Sequence, residues 1–208
     1  MKLLIMGATG GLGRELVRRA SEWGYEATAF ARDPSRVLRH DERLRVVRGD
    51  VLDPASVEPA VRGQDAVVTA LGTPNPRKPS TLLSEGTKNV VKAMEQHGVR
   101  RLVCVTILGT GGSGRRHGSP FYRLFVLGFI VRPMLEDKER QEEVIRRSSL
   151  DWTIVRPPRY TDEPEGGDYR VIADGGRVGK IGRADLASFM LIQLDDHEYV
   201  RRAVMVGY

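Results

Sequence analysis

A single cysteine, Cys104, occurs in 208 residues. That scarcity excludes an intrachain disulfide framework and a thiolate metal cluster, and it fits a reducing cytoplasm. No metal site is expected. Long hydrophobic runs are also missing: Lys2 is followed by only four apolar residues before a glycine cluster, so no signal peptide is expected. The strongly apolar stretch Pro120–Val131 is too short to span a bilayer and carries Arg123. None of the six tyrosines has a lysine four residues later, and no Gly-x-Ser-x-Gly, His-Glu-x-x-His or Gly-Lys-Ser/Thr motif occurs. The four histidines, His40, His97, His117 and His197, fall at predicted helix ends or in loops, which suits surface roles; His117 alone merits a test.

Charge is not scarce. The net +6 comes from scattered basic pairs such as Arg18-Arg19, Arg100-Arg101 and Arg146-Arg147, with no aromatic-interleaved stripe. Specific nucleic-acid binding is therefore not expected. A positive field of this kind attracts anionic ligands such as phosphorylated cofactors.

What the chain does have is a glycine cluster in a telling place. The run Lys2–Met6 breaks at Gly7-Ala8-Thr9-Gly10-Gly11-Leu12-Gly13, and a helical pattern follows at once through Leu12, Leu16, Val17, Ala20 and Trp23. Strand, glycine turn and helix start in that order form a diphosphate site. The first amides of a helix have no internal acceptors, and its dipole end there is positive. The plainer alternative is a strand-to-helix turn that is merely rich in glycine.

Strands are expected at Glu26–Ala31, Leu44–Arg48, Asp65–Leu71, Arg101–Thr106, Trp152–Arg156, Tyr169–Ala173 and Ala203–Val206. Helices are expected to begin near Pro34 and Pro54 and to cover Thr81–His97, Leu135–Ser148 and Asp185–Leu194. Alternating strands and helices predict an α/β fold: a Rossmann-like, doubly wound parallel sheet flanked by helices, in one domain over residues 1–208. Residues 107–118 read as a mobile glycine-rich loop, and residues 107–134 as a cover over the substrate. For Phe121–Val131, core packing, a subunit contact and a membrane-surface anchor stay open beside that role. The helix at 135–148 carries Glu136–Arg140, Glu142–Arg146 and Glu143–Arg147 pairs four apart.

At the tip of the second predicted strand stand Arg32 and Arg36, one helical turn apart. A guanidinium suits a ribose 2′-phosphate, so NADP(H) is favoured over NAD(H). Solvated surface arginine is the alternative, and Asp33 serves NAD if it turns inward. Asp50 and Val51 fall beside the adenine, although Asp50 equally suits a turn cap. Ala70-Leu71-Gly72-Thr73 should line the diphosphate and nicotinamide ribose, and Thr106 ends the fifth strand where ligands collect. The cofactor set is thus Gly7, Thr9, Gly10, Gly11, Leu12, Gly13, Arg32, Arg36, Asp50, Val51, Ala70, Leu71, Gly72, Thr73 and Thr106.

These residues, together with Ala31–Arg36, Gly49–Leu52, Gln64–Val67, Ser84–Asn89, Leu150–Trp152, Pro157-Pro158 and Arg183–Leu186, resemble the biliverdin reductase B / flavin reductase family. That family belongs to the atypical short-chain dehydrogenases with NmrA-like, NAD(P)H-binding domains. The likeness covers nearly the whole chain. It implies NADPH-dependent reduction of flavins, and of tetrapyrroles in some members. It also implies Arg32 and Arg36 on the 2′-phosphate and the nicotinamide near Thr106 and Pro157. Three departures fall in the substrate half: Ile107 replaces a serine, Arg159 a histidine and Pro74 an arginine. Lys138 takes the place of a family histidine near the pocket, or else lies on ordinary helix surface.

The expected function is transfer of a hydride from NADPH to a small planar acceptor such as flavin, bilin or quinone. No dedicated tyrosine–lysine acid is present, and catalytic candidates are limited to Thr106, Lys138 and Arg159. A non-catalytic NADP-binding sensor or assembly factor is the alternative. An epimerase or dehydratase fits less well without the tyrosine–lysine pair.

Overall fold

The densest apolar run becomes the middle of the molecule. Leu3, Leu4, Ile5 and Met6 are fully buried on β1 (Lys2–Met6). A strand projects alternate side chains to opposite faces, so burial of all four requires cover on both sides. The computed structural model describes residues 1–38, 42–111, 113, 132–173 and 178–208, and both covers are present in it.

In chain order the elements are β1, α1 (Gly11–Glu22), β2 (Glu26–Ala31), a 3-10 turn (Pro34–Arg36), β3 (Arg45–Arg48), α2 (Pro54–Val61), β4 (Ala66–Thr69) and α3 (Leu82–His97). There follow β5 (Arg101–Val105), β6 (Leu108–Gly111), α4 (Arg132–Arg147), β7 (Asp151–Val155), β8 (Tyr160–Thr161), β9 (Arg170–Ile172), β10 (Ile181–Gly182), α5 (Arg183–Ile192) and β11 (Arg202–Gly207). Eight strands form one sheet in the order β3-β2-β1-β4-β5-β7-β11-β9. Crossing from β3 to β4 through β1 puts a topological switch beside β1, where ligands gather in such sheets.

Alternation on β1 separates two cores. Leu3 and Ile5 pack with Leu16 and Val17 of α1 and Leu186 and Phe189 of α5. Leu4 and Met6 pack with Val57 of α2, Val90 and Met94 of α3 and Ile145 of α4. This is the doubly wound α/β architecture expected from the alternating pattern. Among the described residues, no helix is long and apolar enough to cross a membrane.

Several local readings need correction. The edge strand β9 runs antiparallel to β11 (Val171 opposite Val206), so the sheet is not wholly parallel. Residues 108–111 form β6 rather than loop. The Leu108 amide donates to Pro157 O at 2.9 Å, and Thr110 and Ser113 are buried. Glycine content suggested mobility, but buried side chains and backbone bonds hold this segment.

Among the described residues α4 is already helical at Arg132, three residues before its charge pattern suggested. Its pairs also differ. Glu143–Arg147 forms as expected, but Glu136 bonds Arg132 and Arg140 turns to Asp137. Glu142 keeps the expected Arg146 contact at 3.4 Å, but it is buried and also bonds Arg156 at the exit of β7. The apolar segment 120–131, most of the 107–134 cover, His40 and His117 lie outside the described residues.

Candidate functional site

β1 runs into a turn that brings backbone against backbone. Gly7 has φ +84°, and a methyl group there would stand 2.5 Å from Ala70 O. At Gly13 a methyl group would meet Gly7 O at 2.0 Å. The helix therefore begins directly on the turn only because neither residue has a side chain.

The start of α1 is chemically unlike those of α2, α3 and α5. Its cap, Gly10, makes no side-chain bond, and its first turn holds no acid. The Gly10 amide reaches Gly7 O and the Arg14 amide reaches Gly10 O. Those of Gly11, Leu12 and Gly13 meet no protein acceptor among the described residues. At α2, Asp53 accepts from the Ala55 amide at 3.0 Å. At α3, Asp137 reaches across from α4 and accepts from the Leu83 amide at 2.9 Å, the Ser84 amide at 3.2 Å and the Ser84 hydroxyl at 2.6 Å. α5 carries Asp185 in its first turn. Positive partial charge is thus left open at α1 and offset at α2, α3 and α5.

That open start faces a cleft of about 440 Å³, within the range of small-molecule sites. Gly7, Thr9, Gly10, Gly11 and Leu12 form one wall, and Phe30, Ala31, Arg32 and Arg36 another. Gly49, Asp50 and Val51 follow β3, and Ala70, Leu71, Gly72 and Thr73 follow β4. Pro74, Leu82, Val105, Tyr160 and Arg183 complete the lining, with Arg183 against Gly11. The Arg32 and Arg36 side chains have no hydrogen bond or ion pair among the described residues.

Asp33 has another task. It accepts from the Ser35 hydroxyl at 2.6 Å and the Ser35 amide at 3.1 Å, capping the 3-10 turn. Those bonds hold its carboxyl below the ordinary range. Asp50 does both things its position allowed: it accepts from the Leu52 amide at 3.0 Å and remains on the cleft wall.

Other expected residues stand back from the walls. Gly13 serves the helix–turn contact. The Thr106 hydroxyl donates to Glu142 at 2.8 Å and is 2% exposed. Pro157 is buried, with its carbonyl bonded to Leu108. Arg159 is exposed, its carbonyl accepting from the Ile181 amide. None of the three catalytic candidates, Thr106, Lys138 and Arg159, lines the cleft.

Lys138 is not helix surface. It is 4% exposed, and its ammonium donates to Leu71 O and Val105 O, both at 3.1 Å. Those carbonyls belong to two cleft-lining residues, so Lys138 braces the floor from behind. Burial pushes its pKa down, opposed by the negative potential of Cys104, Glu142 and Asp137. Glu142 beside it accepts from Arg156, Thr106 and Thr110. Burial alone would raise the Glu142 carboxyl, but Arg156 and the two hydroxyls bring it below the usual range.

Leu82, Val105, Tyr160 and Arg183 line the cleft but were not assigned to the site from the sequence. Tyr160 enters on β8, which pairs in parallel with β10, and Arg183 opens α5 immediately after β10. Arg183 stood among the residues of the family likeness, but its approach to the glycine turn has no local signature.

Open amides, a glycine cradle, free guanidinium groups and adequate volume together fit a phosphorylated dinucleotide. Comparison with known proteins agrees. A family model described as NAD(P)H-binding matches residues 7–197. The photosystem II assembly factor Ycf39 of Synechocystis is 24% identical over 208 residues, covering 98% of this chain and 58% of that protein. A 2-alkyl-3-oxoalkanoate reductase of Stenotrophomonas maltophilia is 36% identical, covering 93% of this chain and 66% of that protein. The chain thus spans about three fifths to two thirds of these two relatives. ChuY of Escherichia coli O157:H7, described as an anaerobillin reductase, shares the fold with a TM-score of 0.81 at 22% identity, over 100% of this chain and 97% of its own.

Proposed function

The chain belongs to the NAD(P)H-binding family, and we propose that it is an NADPH-dependent reductase of a flat conjugated acceptor, with flavin first and bilin or quinone as further candidates. The observation that carries this reading is the pairing of an open helix start with two arginines that have no hydrogen bond or ion pair among the described residues, along one cleft. The amides of Gly11, Leu12 and Gly13 are assigned to the diphosphate. Arg32 and Arg36 are assigned to the 2′-phosphate, and Asp50 and Val51 to the adenine. Ala70–Thr73 follow the backbone of the cofactor toward Val105.

NADPH supplies the hydride in this family's chemistry. The chain's own part is to bind, orient and exclude water. Leu82, Val105 and Tyr160 on the lining offer apolar and aromatic surface for stacking a planar ring. Lys138 holds the Leu71 and Val105 carbonyls and so fixes the floor against which that ring settles. Stacking two rings at reacting distance accounts for much of the barrier reduction. Among the described lining residues beside that surface there is no carboxylic acid or histidine, and the Tyr160 phenol has no lysine four residues on, so water is assigned as the proton source, which suits an acceptor that delocalises charge better than a simple ketone. The reductase relative and the anaerobillin reductase support this class of activity. The acceptor itself is inferred from the cleft and from the sequence resemblance.

A second reading has its own support. The Ycf39 relative is an assembly factor, and the catalytic candidates stand away from the cleft. The chain would then bind NADP(H) and signal its redox state to a partner. NADPH oxidation followed at 340 nm with flavin mononucleotide, a quinone and a bilin separates the two. Turnover with any of them supports the reductase. Tight binding of both NADP forms with turnover of none supports the sensor.

A further inference from the structure

The lining of the cleft holds a guanidinium to which neither the glycine turn nor the second strand gives a role. Arg183 is the first residue of α5, yet its side chain crosses to the start of α1. A methyl group built on Gly11 would lie 2.8 Å from Arg183 Nε, so the two are in direct contact. Along the way the guanidinium passes over the Tyr160 ring, 5.5 Å from its centroid. One nitrogen is bonded to Asp162, whose side chain is 88% exposed while that of Arg183 is 28% exposed.

A cation beside three unpartnered helix amides should attract an anion more strongly than either does alone. Its present partner is an aspartate in solvent, an ion pair of small net value that is readily exchanged. Arg32 and Arg36 line the cleft from the exit of β2, so they serve a different part of an extended ligand.

We propose that Arg183 is a diphosphate clamp: lying against Gly11 beside the open start of α1, it closes on the cofactor there, giving up Asp162 as it does so. This rests on the dinucleotide reading of the cleft and assigns the diphosphate a residue from the last helix of the sheet. In the free protein Asp162 holds the guanidinium in place. When ligand enters, the fork gains a diphosphate oxygen and the aspartate returns to water. Affinity at this step does not depend on whether the ribose carries a 2′-phosphate.

Calorimetric titration of the whole chain with NADP⁺ and with adenosine 2′-phosphate, which has no diphosphate, tests the clamp. Arg183→Ala should weaken NADP⁺ by about 10- to 100-fold and adenosine 2′-phosphate by less than about twofold. Arg32→Ala should weaken both. Arg183→Lys, which keeps charge without the fork, should recover part of the NADP⁺ affinity. Asp162→Asn should tighten NADP⁺ a few-fold by removing the competing anion. Melting of each ligand-free variant identifies any loss of fold. Equal losses on the two ligands, or an unchanged NADP⁺ affinity in folded Arg183→Ala, overturns the clamp. An unaltered chain that binds neither ligand overturns the cofactor reading beneath it.

Discussion

Arg32 and Arg36 show how much a single position can say. Both follow β2, whose Ala27, Ala29, Phe30 and Ala31 are buried, so the strand's end and the place of its exit were readable from the run Glu26–Ala31. Arg32→Ala or Arg36→Ala should raise the dissociation constant for NADPH by about 10- to 100-fold, each charged contact being worth about 1.5–3 kcal/mol. NADH binding should change by less than about twofold, and parallel titrations check the difference. Equal losses would place both side chains off the 2′-phosphate. Other basic residues misled. Arg19 and Arg101 belong to surface-looking pairs but are 6% and 7% exposed. Arg101 bonds Gln193 O at 2.9 Å through Nε and Thr153 at 2.8 Å, a partner set assembled from strands and a loop far apart in the chain. Charge alone does not announce burial, because the acceptors that make it tolerable are distant in sequence.

Elements were easier to find than the links between them. Periodicity located α4, but its role depends on Glu142, Lys138 and Asp137, which point inward from a helix that reads as solvated. Glu142 joins α4 to the ends of β5, β6 and β7 through Thr106, Thr110 and Arg156. Removing one member of a buried ion pair leaves the other without compensation, so Glu142→Gln should cost about 3–5 kcal/mol in urea unfolding at pH 7. The sign of the pH effect follows from the lowered carboxyl. Its contribution is complete above the unfolded value near 4.5 and disappears as pH falls through the lower folded value. Glu142→Gln should accordingly flatten the loss of stability below pH 4.5. An unchanged acid slope would mean the carboxylate is not charged in the fold. The short pair β8–β10 was not readable at all, since two-residue strands leave no period. With it went Tyr160 and Arg183, both brought to the cleft by that pairing.

On the scale of the whole molecule, the +6 charge and the arginines on both cleft walls act together. Exposed charge is screened by salt, with a Debye length of about 10 Å at 0.1 M. Raising sodium chloride from about 0.05 to 0.5 M should weaken NADPH at least about tenfold and NADH less, since NADH lacks the additional dianionic group. Calorimetry at both salts measures the slopes, and identical slopes would argue against 2′-phosphate recognition. The sheet order and its two cores follow from apolar runs that any reading of periodicity detects. What such reading could not supply was the company each helix start keeps.

That company has a practical consequence. Aspartates already sit at the beginnings of α2, α3 and α5, so a small mineral oxyanion dissolved around the protein finds an unclaimed berth at α1. A phosphate or sulfate buffer is therefore a rival for the cleft and not an inert medium, and affinities taken in such solutions understate the protein's hold on its natural occupant.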